Sequence, residues 1–258
     1  MVYDHIIIGA GSAGCVLASR LSADPARRVL LVEAGPRDWH PFIHMPAGLA
    51  RLVTRTDLNW NYLTEPQAHL DGRRLWWPRG KVLGGSSSIN AMCYVRGVPA
   101  DYDGWARLAG DERWAWRNVL PYFLGAECNS RGASALHGGE GPLAVSDLRD
   151  HSELSDALVD AAAAAGHARN ADFNGASQAG FGLYQVTQRN GARCSAATAY
   201  LAPARGRGNL DIVTHARCER VLLERGRAVG VQVCHRGGHA ERIEAGEVIL
   251  AGGSINSP

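Results

Sequence analysis

A glycine pattern near the start of the chain constrains the fold most. Residues 9–14 read Gly-Ala-Gly-Ser-Ala-Gly, after an apolar run over residues 2–8 and before a segment with helical apolar spacing, 13–21. Gly9 permits a tight turn, Gly11 lets the backbone approach a pyrophosphate, and Gly14 allows close helix packing. The amides and dipole at the helix start favour a phosphate. The pattern predicts a strand, a phosphate-binding turn and a helix.

A second apolar run ends in an acid. Residues 29–32, Val-Leu-Leu-Val, are typical of a parallel strand buried on both faces, and Glu33 follows at once. A carboxylate at this place accepts hydrogen bonds from a ribose diol. It also repels a ribose that carries a 2′-phosphate. The two features together predict an unphosphorylated dinucleotide, FAD or NAD.

A second loop of small residues occupies positions 80–90, Gly-Lys-Val-Leu-Gly-Gly-Ser-Ser-Ser-Ile-Asn. Such a backbone can lie against a flat ring or a phosphate where a side chain would clash. A flexible glycine-serine linker is the alternative, but Val82, Leu83 and Ile89 are too apolar for one. The loop therefore indicates a binding element.

The run from Gly80 to Asp103 resembles the first signature of the glucose-methanol-choline (GMC) oxidoreductase family. Residues 58–62, 77–80 and 137–142 are similar to the choline-dehydrogenase-like branch of that family, and essentially the whole chain aligns with it. Residues 253–258 resemble the beginning of the family's second signature. The resemblance indicates the amino-terminal portion of such a protein.

The resemblance implies an α/β fold with an FAD-binding, doubly wound (Rossmann-like) domain and the start of a substrate-binding α+β domain. We expect residues 1–146 and 193–258 to be two segments of the FAD-binding domain, and residues 147–192 to be the first segment of the substrate-binding domain. The remainder of both domains is expected downstream.

The resemblance also implies FAD as the cofactor and a set of residues that bind it. Gly9, Gly11, Gly14 and Glu33 would hold the ADP half, and Cys218 would contact adenine through its backbone. The full set expected to bind the cofactor is Gly9, Gly11, Ser12, Ala13, Gly14, Glu33, Ala34, Arg79, Val82, Gly84, Gly85, Ser87, Asn90, Ala91, Met92, Cys93 and Cys218. Some relatives tether the flavin through a histidine where this chain has Ile89, so we expect non-covalent FAD.

The implied activity is oxidation of the CH–OH group of a primary alcohol, choline-like or other, with quinone or oxygen as the electron acceptor. The family's catalytic histidine region lies beyond Pro258, so we assign no catalytic residue and expect the isolated chain to be inactive. Two alternatives stay open: a short FAD- or ADP-binding module without turnover, and a nicotinamide-dependent enzyme. A nicotinamide-dependent enzyme would not need the loop at residues 80–103.

Composition excludes other classes. The net charge is +2 and no dense basic block occurs, so nucleic acid is not an expected partner. The six cysteines are far apart, and His40 and His44 lie beside two prolines, so no metal site is predicted. No signal peptide or transmembrane run is present, which favours a cytoplasmic protein, peripheral to the inner membrane at most. We expect exposed apolar surface to promote association.

Local patterns predict the remaining elements. Helices are expected at 116–128 and 152–166, the latter capped by Ser152, with mostly irregular chain elsewhere between 89 and 145. Strands are expected at 209–214, 218–223, 229–233 and 247–251, with a hairpin turn at Arg225-Gly226. The aromatic and proline-rich residues 36–78 predict long ordered loops.

Overall fold

The computed structural model describes residues 2–258. The strands are β1 (Val2–Ile8), β2 (Val29–Val32), β3 (Tyr62–Leu63), β4 (Trp76–Trp77), β5 (Glu127–Asn129), β6 (Leu143–Val145), β7 (Gln188–Arg189), β8 (Ala192–Arg193), β9 (Leu210–Val213), β10 (Ala216–Glu224), β11 (Arg227–His235) and β12 (Ala240–Leu250). The α-helices are α1 (Ser12–Leu21), α2 (Pro41–His44), α3 (Leu49–Leu52), α4 (Pro99–Ala109), α5 (Trp116–Ala126), α6 (Glu153–Ala164), α7 (Ala202–Ala204) and α8 (Gly253–Asn256). Short 3-10 turns lie at Pro46–Gly48, Ala68–Leu70, Gly85–Ser88 and Glu112–Trp114, and a π-helical turn at Ala197–Leu201.

The chain forms two compact units. The first comprises the chain up to Ala91 together with Ser195–Pro258, and the second comprises Met92–Cys194. These units are defined by how the chain packs on itself, so they do not show which residues bind a ligand. The assignment of residues 1–146 and 193–258 to FAD binding, and of 147–192 to substrate binding, therefore stays a prediction.

A six-stranded mixed sheet organises the first unit, in the order β10-β11-β12-β1-β2-β9. Its four strands β12, β1, β2 and β9 are parallel, while β10, β11 and β12 form an antiparallel meander. All four residues of β2 are buried, as the continuous apolar run predicts, and each contributes about 1.5–3 kcal/mol by burial. The predicted α/β class, with a parallel-rich sheet, is confirmed.

Most predicted elements are observed with shifted ends. β1 has the predicted bounds, α1 begins one residue early, and α6 runs Glu153–Ala164 with Ser152 as its cap: the Ser152 hydroxyl accepts from the amide of Leu154 at 3.2 Å. The β10–β11 turn uses Arg225 and Gly226 at φ values of 50° and 79°. Two consecutive positive φ values are typical of a type I′ hairpin.

The prediction of mostly irregular chain before residue 116 is wrong at α4, Pro99–Ala109. The start signals were present in the sequence. Pro99 occupies the first helical position, where its missing N–H costs nothing, and the Asp101 carboxylate accepts from the amide of Val98 at 2.9 Å. The predicted helix at 116–128 ends earlier, at Ala126, because β5 begins there.

Candidate dinucleotide-binding site

The turn between β1 and α1 requires glycine at two of its positions. Gly9 has φ +96°, and a Cβ on it would lie 2.6 Å from the carbonyl oxygen of Ala251. A Cβ on Gly14 would lie 1.9 Å from the Gly9 carbonyl oxygen, so α1 can approach the turn only without a side chain there. At Gly11 a Cβ would meet nothing within 4 Å. The turn is therefore tight on the protein side and open at Gly11.

Helix α1 begins at this open position. Its first intrahelical bond runs from the amide of Cys15 to the carbonyl of Gly11 at 2.9 Å. The amides that precede Cys15 have no acceptor within the helix, and they carry the positive end of its dipole. The start of α1 can therefore receive a phosphate group.

Glu33 follows β2 at the same end of the sheet. Its side chain is buried, and its two carboxylate oxygens accept from the amides of Ala10 at 2.9 Å and Gly35 at 2.8 Å. Burial raises the pKa of Glu33, and these amide bonds and the charge of Lys81 oppose that rise. Because a carboxylate offers about four acceptor positions, Glu33 can accept further bonds from a ligand.

The glycine-serine loop packs directly on the glycine turn. The amide of Gly84 donates to the carbonyl of Ala10 at 2.7 Å, and a Cβ on Gly85 would lie 2.7 Å from the Cα of Gly11. Gly84 and Gly85 have φ values of +88° and +55°. The two glycine-rich segments, far apart in sequence, thus form one continuous surface.

This surface lines a cleft of about 830 Å³ in the first unit, a volume in the range of small-molecule sites. The residues predicted to bind the cofactor that line it are Gly9, Gly11, Ser12, Ala13, Glu33, Ala34, Arg79, Gly85 and Cys218. Other predicted residues of this unit, Gly14, Val82, Gly84, Ser87, Asn90 and Ala91, do not line it. Met92 and Cys93 belong to the second unit.

Several of the predicted residues outside the lining support it. Val82 is fully buried, and it packs with Ile43, Leu52, Leu58 and Ile89. The Ser87 hydroxyl donates to the carbonyl of Gly84 at 2.6 Å and accepts from the amide of Ala196 at 2.9 Å. These contacts hold the loop in place without exposing the side chains to the cleft.

An aromatic wall of the cleft was not predicted. The rings of Trp60 and Tyr62 are stacked, with centroids 6.0 Å apart and planes 5° from parallel. The Tyr62 hydroxyl donates to the Asn256 side-chain oxygen at 2.6 Å. All three residues line the cleft. The richness of residues 36–78 in aromatics was a usable signal, but no local spacing links Tyr62 to Asn256.

Cys218 and Arg217 line the cleft from β10. Burial raises the pKa of the Cys218 thiol, so the thiol is the favoured form at neutral pH. The side chain donates to the carbonyl of Arg220 at 3.7 Å. The residue therefore presents no reactive thiolate to the cleft, and the contact of its backbone with adenine stays a prediction.

The histidine pair near residue 40 has local partners. His40 Nδ1 accepts from the amide of Phe42 at 3.2 Å, and His44 Nε2 lies 2.7 Å from the carbonyl oxygen of Asp38. Across residues 2–258, no three His, Cys, Asp or Glu side chains are placed to hold a metal ion.

Within the same range, no helix is both long and apolar enough to cross a membrane.

The second unit contains a buried polar network of different character. Arg96 pairs with Glu127, and His137 bridges Glu127 and Asp172 with distances of 2.9 Å on both sides. Burial lowers the pKa of His137, but its bonds to the two carboxylates outweigh burial and raise it overall. Met92, at the start of this unit, has φ +64°, which is uncommon for a residue with a side chain.

Comparisons with known proteins show the family of this chain. A family profile described as GMC oxidoreductase matches residues 3–258, and the chain belongs to that family. An alcohol dehydrogenase [acceptor] from Pseudomonas putida is 52% identical over 100% of this chain and 47% of its own length. The mitochondrial choline dehydrogenase of Homo sapiens is 48% identical over 99% of this chain and 44% of its own length.

Solved structures show the same fold. Pyridoxine 4-oxidase from Mesorbium loti superposes with a TM-score of 0.94 at 40% identity, over 99% of this chain and 50% of that protein. An FAD-dependent oxidoreductase from Chaetomium thermophilum superposes with a TM-score of 0.90 at 29% identity, over 99% of this chain and 46% of that protein. The chain thus spans about half the length of the relatives it matches.

Proposed function

We propose that this chain forms the FAD-binding part of an oxidoreductase that acts on the CH–OH group of a primary alcohol, choline-like or other. The observation that carries the proposal is the meeting of the glycine turn, Glu33 and the glycine-serine loop in one cleft. FAD, when bound, would supply a flavin that accepts a hydride from the alcohol carbon at N5. The acceptor that reoxidises it would be quinone or oxygen.

The described residues fit FAD at several points. The open side of Gly11 and the start of α1 suit a pyrophosphate, and Glu33 retains acceptor positions for ribose hydroxyls. The backbone of Cys218, on the cleft wall, suits adenine. The glycine-serine loop, with Val82, Gly84, Asn90, Ala91 and Met92 toward the flavin, would complete the set.

Non-covalent attachment is part of the proposal. Ile89 has no nucleophilic atom, and its side chain is buried in an apolar cluster with Val82 and Leu58. No tether can form at this position. Acid or denaturant is therefore expected to release all of the flavin.

We propose that the catalytic histidine region lies outside residues 2–258, and that the isolated chain binds FAD without turnover. The residues of this chain would bind and orient the cofactor, while a base outside residues 2–258 would accept the proton of the alcohol. A cytoplasmic location is part of the same proposal. The Glu33 carboxylate favours an unphosphorylated ribose, which would also admit NAD, but a nicotinamide enzyme gives no role to the packed glycine-serine loop.

The test is the intact mass of the natural product with its absorbance spectrum on the same sample. A mass well above 27.6 kDa with a flavin spectrum, and flavin released by denaturation, would support the proposal. A mass of 27.6 kDa with flavin would reduce the function to FAD binding. A folded product without flavin, or with nicotinamide, would contradict it.

A further inference from the structure

His137 lies between two carboxylates of the second unit. Its Nδ1 is 2.9 Å from an oxygen of Glu127, and its Nε2 is 2.9 Å from an oxygen of Asp172. Glu127 lies on β5, and Asp172 lies in the chain that follows α6. The Glu127 side chain is 0% exposed, that of His137 is 12% exposed, and that of Asp172 is 32% exposed. The imidazole therefore joins two segments that are distant in sequence.

The number of hydrogens in this cluster determines the charge of the imidazole. A carboxylate only accepts, so each ring nitrogen needs a hydrogen to bond its carboxylate. A neutral imidazole carries one such hydrogen, and an imidazolium carries two. The Asn129 amide lies 3.1 Å from Nδ1, but its two hydrogens are donated to oxygens of Glu127 and Gln185 at 2.8 and 2.9 Å. The two bonds of His137 therefore require the imidazolium.

The neighbouring charges keep both carboxylates ionised. The charged groups bonded into this cluster are Arg96, Glu127, Arg131, Asp147 and Asp172. Arg96 pairs with Glu127, and both side chains are buried. Burial raises the pKa of Asp172, but its bonds and the charges of His137 and Arg131 outweigh burial and lower it. The histidine, and not an acid, is therefore the group that changes charge near neutral pH.

Asp172 in turn holds the segment 94–96. Its second oxygen accepts from the amide of Asn174 at 2.9 Å. The Asn174 side-chain oxygen accepts from the amide of Arg96 at 2.7 Å, and its side-chain nitrogen donates to the carbonyl of Tyr94 at 2.9 Å. The other acid of the cluster binds the Arg96 guanidinium. Backbone and side-chain bonds thus connect this segment to both acids that the imidazole joins.

We infer that His137 is a pH-sensitive positioning residue, a clasp that fixes residues 94–96 as an imidazolium and releases them when it loses its proton. The neutral ring keeps one hydrogen and therefore one carboxylate. The bond to Asp172 is the one lost, because water can reach this acid and cannot reach Glu127. The pKa of His137 is raised above 6.5. The clasp is therefore closed below pH 6.5 and opens as the pH rises through the raised value.

The segment that the clasp fixes follows two residues of the proposed site. Met92 and Cys93, which we propose lie near the flavin, directly precede residues 94–96. An effect on the flavin rests on the proposed function, whereas the clasp itself needs no cofactor. A protein in which the clasp opens but no flavin binds would support the clasp and contradict the proposed function.

Two measurements on this protein without added FAD test the clasp. Nitrogen-15 spectra of the imidazole, assigned with His137→Gln, should show both ring nitrogens protonated below the pKa. Amide hydrogen exchange, corrected for the intrinsic effect of pH, should show the protection of the Arg96 amide falling at least about tenfold across the titration. The Ser146 amide, which donates to the Val186 carbonyl at 2.9 Å in the same unit, should keep its protection.

Asp172→Asn should remove the pH dependence without opening the clasp. The side-chain amide can donate to Nε2 of a neutral imidazole, while its oxygen still accepts from the amide of Asn174. Protection of the Arg96 amide should therefore stay high on both sides of the titration. Asp156→Asn is the matched control, because Asp156 bonds the exposed His151 at 2.9 Å. This control should retain the tenfold change.

Three results would overturn the inference. They are a His137 that is neutral at every pH, an Arg96 amide whose protection does not change across the titration, and an Asp172→Asn variant that keeps the pH dependence of the unaltered protein. The second result needs no variant, so the inference can fail even where a variant does not fold.

Discussion

Glu33 and Glu127 are two of the buried carboxylates among the described residues, and they have opposite surroundings. Glu33 accepts from two backbone amides, one on each oxygen, and lines the cleft. Glu127 accepts two donors on each oxygen: Asn129 and His137 on one, and Arg96 and Gly138 on the other. About four acceptor positions exist on a carboxylate, so Glu127 is saturated and Glu33 is not.

The difference separates a structural acid, Glu127, from the acid that we propose binds the ligand, Glu33. Every acceptor position of Glu127 is used within the second unit, so this residue stabilises the fold and has nothing left for a ligand. Glu33 is held in place by the backbone amides of Ala10 and Gly35, and it lines the cleft with acceptor positions unused. Burial alone therefore does not distinguish the two acids, whereas the unused hydrogen-bonding capacity of Glu33 does, and it supports the proposed binding role.

The largest expected effect is that of Glu127→Gln on stability. The substitution leaves the buried Arg96 guanidinium without its charge partner, and such a loss costs about 3–5 kcal/mol. Urea denaturation of the variant and of Glu140→Gln, which changes an exposed acid, measures the difference. If Glu127→Gln and Glu140→Gln lowered the unfolding free energy equally, the distinction between Glu127 and Glu33 would be contradicted.

Substitutions in the glycine turn should separate packing from binding. Gly14→Ala places a methyl group against the Gly9 carbonyl and should destabilise the first unit by about 1–3 kcal/mol. Gly11→Ala meets no protein atom, so the fold should survive while the methyl group enters the cleft and weakens FAD binding. Thermal melts and FAD titrations of both variants provide the check. Equal loss of stability in the two would be inconsistent with the open side at Gly11.

Glu33→Gln should act on affinity more than on stability. The amide removes the charge that favours ribose hydroxyls, and we expect FAD affinity to fall by about tenfold. The unfolding free energy should change much less than in Glu127→Gln. The substitution removes one acceptor of a backbone amide, which destabilises the fold, but it also removes a buried negative charge, which stabilises the fold. An affinity equal to that of the unaltered chain would show that Glu33 is not a binding acid.

The smallest expected effect is a pH dependence from His137. Its pKa is raised above 6.5 in the folded chain, so its contribution is fully present below pH 6.5 and is lost as the pH rises through the raised value. The unfolding free energy should fall with pH over that window. His137→Gln should remove this slope, and His151→Gln, which changes an exposed histidine, should retain it. Urea melts at several pH values measure the slopes.

Much of the first unit could be predicted from local patterns. The continuous apolar run of β2, the glycine spacing after β1 and the Arg225-Gly226 turn each have one dominant physical explanation, and the structure contains the elements they predict. The confirmed family explains why the Gly80–Asp103 resemblance was informative. Those features depend on neighbours in sequence, which a single sequence displays.

Features that depend on distant pairs could not be predicted. The bond of Tyr62 to Asn256 and the saturation of Glu127 by Arg96 join residues that no spacing rule connects. Helix α4 is a different case, because Pro99 and Asp101 mark its start in the sequence itself. The packing of the glycine-serine loop onto the glycine turn likewise appears only once the sheet is assembled.

The most direct test of the central claim is a titration of the purified 258-residue chain with FAD, followed by flavin fluorescence, with competition by ADP-ribose and by its 2′-phosphorylated form. The account predicts saturable 1:1 binding that ADP-ribose displaces, and much weaker competition by the 2′-phosphate, because Glu33 repels it. A folded chain that does not bind FAD, or that accepts the 2′-phosphate equally well, would contradict the assignment of this cleft.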